Sequence, residues 1–321
     1  MLTPSNMTPT LKAYYDRLLL EQLIPMFWHH MFADDARVIQ LSNGKYKAEW
    51  NKWAALGPVT TPLVSGVTPT PSTTSASTVE AIPAQYGSYV PFDDQIDMTS
   101  VDPIVSNLVT QCGQQAAESL EIVDRTVLNA GTNVHYANNK LSRASLTPSD
   151  KFSALEIDKA VRILENSFVP KIQDQFGGSY IGYVHPDVKF DLRQDDDFMA
   201  PDKYGSGVQA YSGELGRWNG VRLLNNPMAA KFEGAGAAGI DVYSTLIFGR
   251  HWHGSVKWTD ATGGIRQLTK EGRAIEVFVR PPGSGDDPLH QRGTVGWKVS
   301  HVRKLLNQAC GLRVESGSTY S

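Results

Sequence analysis

Residues 36–97 cannot form the interior of a regular sheet, and that constrains the chain more than any other feature. Helix periodicity is absent there, and short β-like pieces alternate with clusters of Gly, Pro, Ser and Thr. Pro58, Pro62, Pro69, Pro71 and Pro83 interrupt the stretch, and residues 72–78 are a Ser/Thr tract. Proline offers no amide hydrogen to a β-ladder, so such a run is excluded from a central strand. Asn43-Gly44 is a hairpin turn signal, and strand character returns at Ser88-Tyr89-Val90-Pro91-Phe92. So long a connection is uncommon inside a compact domain, and a two-stranded arm on its own is marginal in water. The economical solution is an arm that lies on another copy of the chain.

Helices are predicted on both sides of this arm. Thr8-Pro9 pairs an N-cap with a first-turn proline, and Leu11, Tyr14, Tyr15, Leu18 and Leu19 follow at helical spacing. After Pro25, the run Met26-Phe27-Trp28-His29-His30-Met31-Phe32 is too apolar to leave in water and has to dock on its own core or a neighbour's. Asp102-Pro103 then opens a helix over 103–130 with a stripe of Ile104, Leu108, Cys112, Ala116, Leu120, Val123 and Val127, closed by Gly131. Such a helix is about 40 Å long. Ser153 and Glu156 have capping-box spacing before Ile157, Ala160, Val161, Leu164 and Phe168, and Pro170 ends that helix.

Tyr180 to His185 reads as a buried strand leading into a short helix from Pro186 to Arg193. Residues 195–264 read as a loop-rich lobe around a strand at Val242–Phe248, and further strands are predicted at Ala274–Val279 and Thr294–Val299. The class is α+β with a projecting arm.

Charge argues against several functions. The 30 Lys and Arg nearly balance 33 Asp and Glu, and a net charge of −3 gives no strong attraction to nucleic acid or an acidic membrane. Cys112 and Cys310 are too isolated for a disulfide framework or a thiolate zinc site. With no run of about 20 apolar residues and no basic-then-apolar leader, the reading is a protein made and used in a cytoplasm.

Few patterns suggest chemistry. His251-Trp252-His253 puts two imidazoles on one face of a strand, but no third metal ligand is tied to them, so interface or surface histidines are the better reading. His29 and His30 point to different faces of any regular element and read as packing residues. Asp195-Asp196-Asp197 lacks the calcium-hand pattern and reads as a solvated helix end. Gly234-Ala-Gly-Ala-Ala-Gly239 imitates a dinucleotide fingerprint but precedes a strand, the wrong context for cradling phosphate. No nucleophile elbow or Walker loop occurs, and no catalytic, cofactor or metal residue is assigned. The aromatics of the arm, Trp50, Trp53, Tyr86, Tyr89 and Phe92, are read as contacts between subunits, together with Tyr15, Phe27 and Trp28 before it.

The order of several segments resembles the tailed-phage major capsid proteins, in particular the branch named after coliphage N-four. The matching pieces are Leu11-Lys-Ala-Tyr-Tyr-Asp-Arg-Leu-Leu19, Pro25 to Ala33, Gly66-Val-Thr-Pro69 and Tyr86-Gly-Ser-Tyr-Val-Pro-Phe-Asp-Asp94. Asn129-Ala-Gly-Thr132, Gly182-Tyr-Val-His-Pro186, Gly213-Glu-Leu-Gly216 and Val242 to Gly249 follow in order, with a weaker echo in Gly293-Thr-Val-Gly-Trp-Lys298.

The resemblance implies a tailed-phage major capsid fold: N-terminal arm 1–35, extended β-hairpin loop 36–97, peripheral domain with a long spine helix 98–149, axial domain 150–255, and a return to the peripheral domain over 256–321. It implies a non-enzymatic subunit, without cofactor, that self-assembles as hexamers and pentamers into an icosahedral head around double-stranded DNA. DNA is enclosed without sequence-specific binding, no membrane is involved, and localisation is the virion, with the host cytoplasm during assembly. A portal, a decoration protein and a scaffolding protein are the implied partners. Scaffolding is expected to be separate, because the chain starts almost directly with its arm. Glu49-Trp50-Asn51-Lys52-Trp53 is less basic than the family pattern, which removes support for charge pairing of the loop with a neighbour. Two other functions fit the same residues: an encapsulin-type bacterial compartment around a cargo enzyme, and a polymer-acting hydrolase with the Pro/Thr segment as a lid.

Overall fold

A computed structural model describes residues 28–40, 46–54, 56–95, 104–174, 177–198, 214–256, 275–282 and 291–320. In chain order the first strands are β1 (Asp34–Asp35), β2 (Arg37–Gln40), β3 (Tyr46–Trp53), β4 (Ala76–Ala81) and β5 (Ala84–Asp93). Helix α1 (Ile104–Asn129) follows, then β6 (Val134–Tyr136), α2 (Ala154–Asn166), β7 (Ile172–Asp174), β8 (Gly177–Val184) and α3 (Pro186–Leu192). Next come β9 (Glu214–Trp218), β10 (Val221–Asn225), β11 (Lys231–Phe232), β12 (Val242–Phe248) and β13 (His253–Ser255). The last strands are β14 (Ile275–Arg280), β15 (Arg292–His301), β16 (Arg303–Leu305) and β17 (Gly311–Ser316).

These strands form four sheets. The largest runs β6-β17-β12-β8-β10-β9, with β11 added on β12 and β7 on β8. All of β12 is buried, so its sequence is a continuous apolar run broken only by Ser244 and Thr245. Helix α2 turns Ile157, Ala160, Val161 and Leu164 into the core of that sheet, with Tyr180, Tyr183, Phe248 and Val314. A second core lies between α1 and the three-stranded sheet β14-β15-β5, where Val109, Cys112, Ala116, Ala117 and Leu120 meet Phe92, Val295, Trp297 and Val299. Gly113, Ala116 and Ala117 are small, which lets the helix lie close on the strands. The small sheet β1-β13-β16 bridges these bodies, and β2-β3-β4 forms the arm.

Several expectations change in detail. The segment 36–97 divides: among the described residues β2, β3 and β4 pair only with one another, whereas β5 pairs along its whole length with β15 and belongs to the body under α1. Tyr86, Val90 and Phe92 alternate along β5 onto that core, and this holds the strand in the body. Asn43-Gly44 lies outside the described residues, between strands whose antiparallel register ends at Gln40 opposite Tyr46. At the other end of the chain, β17 does not join the body under α1; it inserts between β12 and β6 of the largest sheet.

The buried face of α1 also differs from the stripe read by periodicity. It passes through Glu121 and Asp124, both fully buried, while Val123 and Val127 lie half-buried beside them. Ser153 is the N-cap of α2 as expected, but its side chain makes no capping bond. The carboxylate of Asp195, predicted as a solvated helix end, accepts from Ala154 N at 2.8 Å instead. Glu156 turns inward to His135 at 2.8 Å and Lys159 at 2.7 Å. Burial alone would raise its carboxyl pKa, and the bonds from His135 and Lys159 overcome that and lower it.

Candidate assembly surface

The arm is firm at its base and bare at its tip. Strands β3 and β4 are in register from Ala48 opposite Ala81 to Trp53 opposite Ala76, and Ala54 N adds one more bond to Ser75 O at 2.8 Å. Thr78 donates to Asn51 at 3.0 Å, and Lys47 pairs with Glu80 across the strands. Inside the base, Trp50 packs with Ala48 and Val256 and covers Gly254 so closely that a Cβ there would lie 2.4 Å from the indole nitrogen. Its Nε1 donates to Asp34 O at 3.4 Å, tying the arm to the bridging sheet.

Beyond that base, every described residue from 56 to 75 is exposed. Leu56 (60 %), Val59 (78 %), Leu63 (76 %), Val64 (67 %) and Val67 (63 %) stand in solvent. Gly66, at φ +82°, supplies the one tight turn, closed by Val67 N on Val64 O at 3.2 Å. No ionisable side chain occurs between Lys52 and Glu80. Covering such side chains yields about 1.5–3 kcal/mol each, and a patch of this kind marks an interaction surface.

Two aromatic-walled grooves open beside the arm. One, of about 650 Å³, runs between the arm base and residues 167–170; Trp53 (68 % exposed) and Phe168 (93 % exposed, φ +51°) flank it. His251, at φ +64°, closes one side by pairing with Asp34 at 2.6 Å, and the Cys310 thiol lies beneath with its pKa raised by burial. The other groove, of about 580 Å³, covers the face of β14-β15-β5 that points away from α1. There Gly296 stands in register between Tyr89 and Phe278, so two exposed rings flank a floor without side chains, with Arg280 and Lys298 beside it.

The residues expected at subunit contacts separate accordingly. Trp53 and Tyr89 (70 % exposed) are available to a neighbour, and Trp28 is half-buried. Trp50 and Phe92 are not: both are buried in cores of their own chain, because strand alternation turns them inward, and Tyr86 packs half-buried on the same core as Phe92. Tyr15 and Phe27 lie outside the described residues.

The reading by sequence missed a buried polar junction. His29 and His30 are not simple packing residues: His29 meets Glu121, with Nδ1 at 2.6 Å from Oε1 and its amide donating at 3.1 Å. His30 Nδ1 faces Arg303 Nη2 at 2.8 Å, and Arg303 pairs with Asp124. His301 Nε2 meets Asp124 at 2.5 Å, and His253 Nδ1 faces Arg303 Nη1 at 3.2 Å. His251 and His253 therefore do not share a face: one is an exposed partner of Asp34, the other is buried under Arg303. Among the described residues no group of three or more His, Cys, Asp or Glu is placed to hold a metal ion. The Gly234–Gly239 segment is a turn, with Gly234 N on Asp241 at 2.8 Å. No helix among the described residues is long and apolar enough to cross a membrane.

Comparison with known proteins gives a consistent answer. The family model described as phage capsid protein matches residues 76–310. No curated protein sequence matches. Among solved structures, the capsid of Ralstonia phage GP4 is similar at 15 % identity and a TM-score of 0.67, covering 85 % of this chain and 83 % of that one. The cyanophage Pam1 capsid is similar at 14 % identity and a TM-score of 0.63, with 86 % of each chain covered. The capsid of cyanophage P-SCSP1u is similar at 16 % identity and a TM-score of 0.60, covering 89 % of this chain and 90 % of that one. At these identities the likeness shows a shared fold.

Proposed function

This chain belongs to the phage capsid protein family, and from that premise we propose that it closes into an icosahedral head, as hexamers and pentamers, around a packaged double-stranded DNA genome. It is a structural shell protein of the virion and not an enzyme. The observation that carries the assembly reading is the tip of the arm: an uncharged, apolar extended segment that no other described residue of its own chain covers. Such a surface is costly in a solitary molecule and is satisfied by a second copy. Obligate contacts of this type bury more than about 2,000 Å² in total, enough for many weak pairwise seams to sum to a stable container.

In this reading Trp53 and Tyr89 are subunit contacts, with Trp28 at their margin. Residues 1–35 act as the N-terminal arm, the extended loop runs from 36 to the end of β4, and α1 is the spine. Residues 150–255 are the axial domain, completed by β17. The segments quoted above favour the N-four branch within the tailed-phage capsids. Assembly in the host cytoplasm, with separate scaffolding, portal and decoration proteins, follows from the same reading. Near-neutral charge suits an inner wall that encloses DNA without gripping it.

The test is deletion of residues 58–72, which spares β3 and β4. Soluble, folded subunits that sediment slowly and form no particles under negative stain are the expected result. Normal shells from the deleted chain would refute the role of the tip.

A further inference from the structure

Helix α2 ends in a turn that calls for glycine, and the residue there is a phenylalanine. Phe168 N donates to Glu165 O at 2.9 Å and Val169 N to Leu164 O at 3.1 Å, the paired bonds that close a helix through one left-handed residue. That residue is Phe168, at φ +51°. Leu164 and Val169 are buried and seal the turn, whereas the Phe168 ring is 93 % exposed and covers almost nothing of its own chain. A side chain is strained in this conformation and glycine is not. For the solitary subunit, then, glycine would close the helix better.

Across the larger groove stands a second left-handed residue, His251 at φ +64°. Its strain is offset within the chain, because the ring pairs with Asp34 at 2.6 Å. The exposed ring of Phe168 has no comparable partner among the described residues. Strained residues persist where function holds them, and here two line one groove. We infer that Phe168 is an assembly contact, and that the groove it flanks with Trp53 is the seat for the arm tip, residues 56–75, of a second copy of this chain. The inference rests on the assembly reading above and adds to it the surface that receives the tip.

The chemistry of the groove selects that occupant. Val79, Pro170 and Leu306 lie between the two rings. The charges around them nearly cancel, Asp34 and Glu49 against Arg37 and Lys52, with His251 already paired to Asp34. A strongly charged segment finds no counter-charge there, whereas an uncharged, extended and apolar one does not need any. The tip is such a segment: it has no ionisable side chain, exposes Leu56, Val59, Leu63, Val64 and Val67, and contains Pro58, Pro62, Pro69 and Pro71. Proline-rich chain is already extended, loses little freedom on docking, and is received by aromatic-walled grooves for that reason. The smaller groove fits less well, because Arg280 and Lys298 stand beside its rings and suit an occupant with negative charge.

The tip that fills the seat comes from another copy. Every described residue from 56 to 75 is exposed, so the tip lies in neither groove of its own chain. Tip and seat are different surfaces and each copy carries one of each, so the contact is heterologous. Repeated from copy to copy, a contact of that kind closes into a ring when its rotation allows.

Two measurements on the full chain test this. Phe168→Gly relieves the strained turn, so the folded-to-unfolded ratio of the dilute, unassembled subunit in urea should rise by about three-fold or more. The same variant should lower particle yield by at least about ten-fold. A subunit made less stable, or an unchanged particle yield, overturns the proposal. In the second measurement the photoreactive analogue p-benzoylphenylalanine replaces Phe168, and particles are assembled from a mixture of light- and heavy-isotope chains. Irradiation should join position 168 to residues 56–75 in mixed-isotope pairs. Links to another segment, or only within one chain, overturn the seat and leave the assembly reading standing. Should that variant build no particles, the analogue in place of Leu63 reports from the tip and should reach residues 167–170 of another copy. Links from it to Tyr89 or Phe278 place the tip in the smaller groove and overturn the seat. A natural chain that forms no particles overturns the assembly reading, and this inference with it.

Discussion

The tip of the arm and the junction at α1 reverse the usual distribution of residues. Residues 56–75 present leucine and valine to water and carry no charge, whereas the junction seals carboxylates, imidazoles and a guanidinium away from it. Each inversion is costly for a different reason, and the compensation differs too. The exposed apolar area has no partner among the described residues, and in the proposed assembly its stabilisation comes from another copy. Buried charge is already compensated within the molecule, by hydrogen bonds of 2.5–3.2 Å among elements far apart in sequence. The tip therefore reports on assembly, and the junction on how one subunit holds its own parts.

That division can be broken most directly at the tip. Replacing Leu63, Val64 and Val67 together by Asp should lower particle yield by about a hundred-fold or more while moving the subunit's Tm by less than about 2 °C. A large drop in Tm would mean that the tip is part of the subunit's own core. Asp124→Ala should act in the opposite way: it leaves Arg303 and His301 buried without their carboxylate, at a cost of about 3–5 kcal/mol in urea unfolding at neutral pH. Trp50→Ala, at the boundary between the two regions, removes the side chain that roofs Gly254 and should cost about 3 kcal/mol. Its signature would be faster amide exchange in β3 and β4 with β12 unaffected. Smallest of all, Tyr89→Ser should change subunit stability by under about 0.5 kcal/mol, because the ring is 70 % exposed, and yet reduce assembly.

How much was legible in the sequence follows the same division. The tip announced itself, because prolines and a Ser/Thr tract leave no regular structure to choose. The strand Val242–Phe248 and the start of α3 at Pro186 were read correctly from local pattern alone. Trp50 and Trp53 were grouped together, although their spacing puts them on opposite faces of a strand; a period of two would have separated the anchor from the contact. Glu121 and Asp124 were passed over because an acidic residue on an amphipathic helix is assigned to solvent, and their partners lie in segments no local window connects. In β17 the alternation of Leu312 and Val314 with Arg313 and Glu315 was a usable strand signal. Its charged residues are covered as well, Glu315 being paired with Arg143 at 2.6 Å, so both faces carry structure.

The position of β17 also bears on the time course of folding. Its neighbours β6 and β12 are separated from it by long stretches of chain, so both must wait with unpaired edges until residues 311–316 have emerged from the ribosome. Until then the broadest sheet is split, and closing it demands contacts of high sequence separation, the slow kind. Until β17 is in place, the facing edges of β6 and β12 are open to strand addition from outside the molecule.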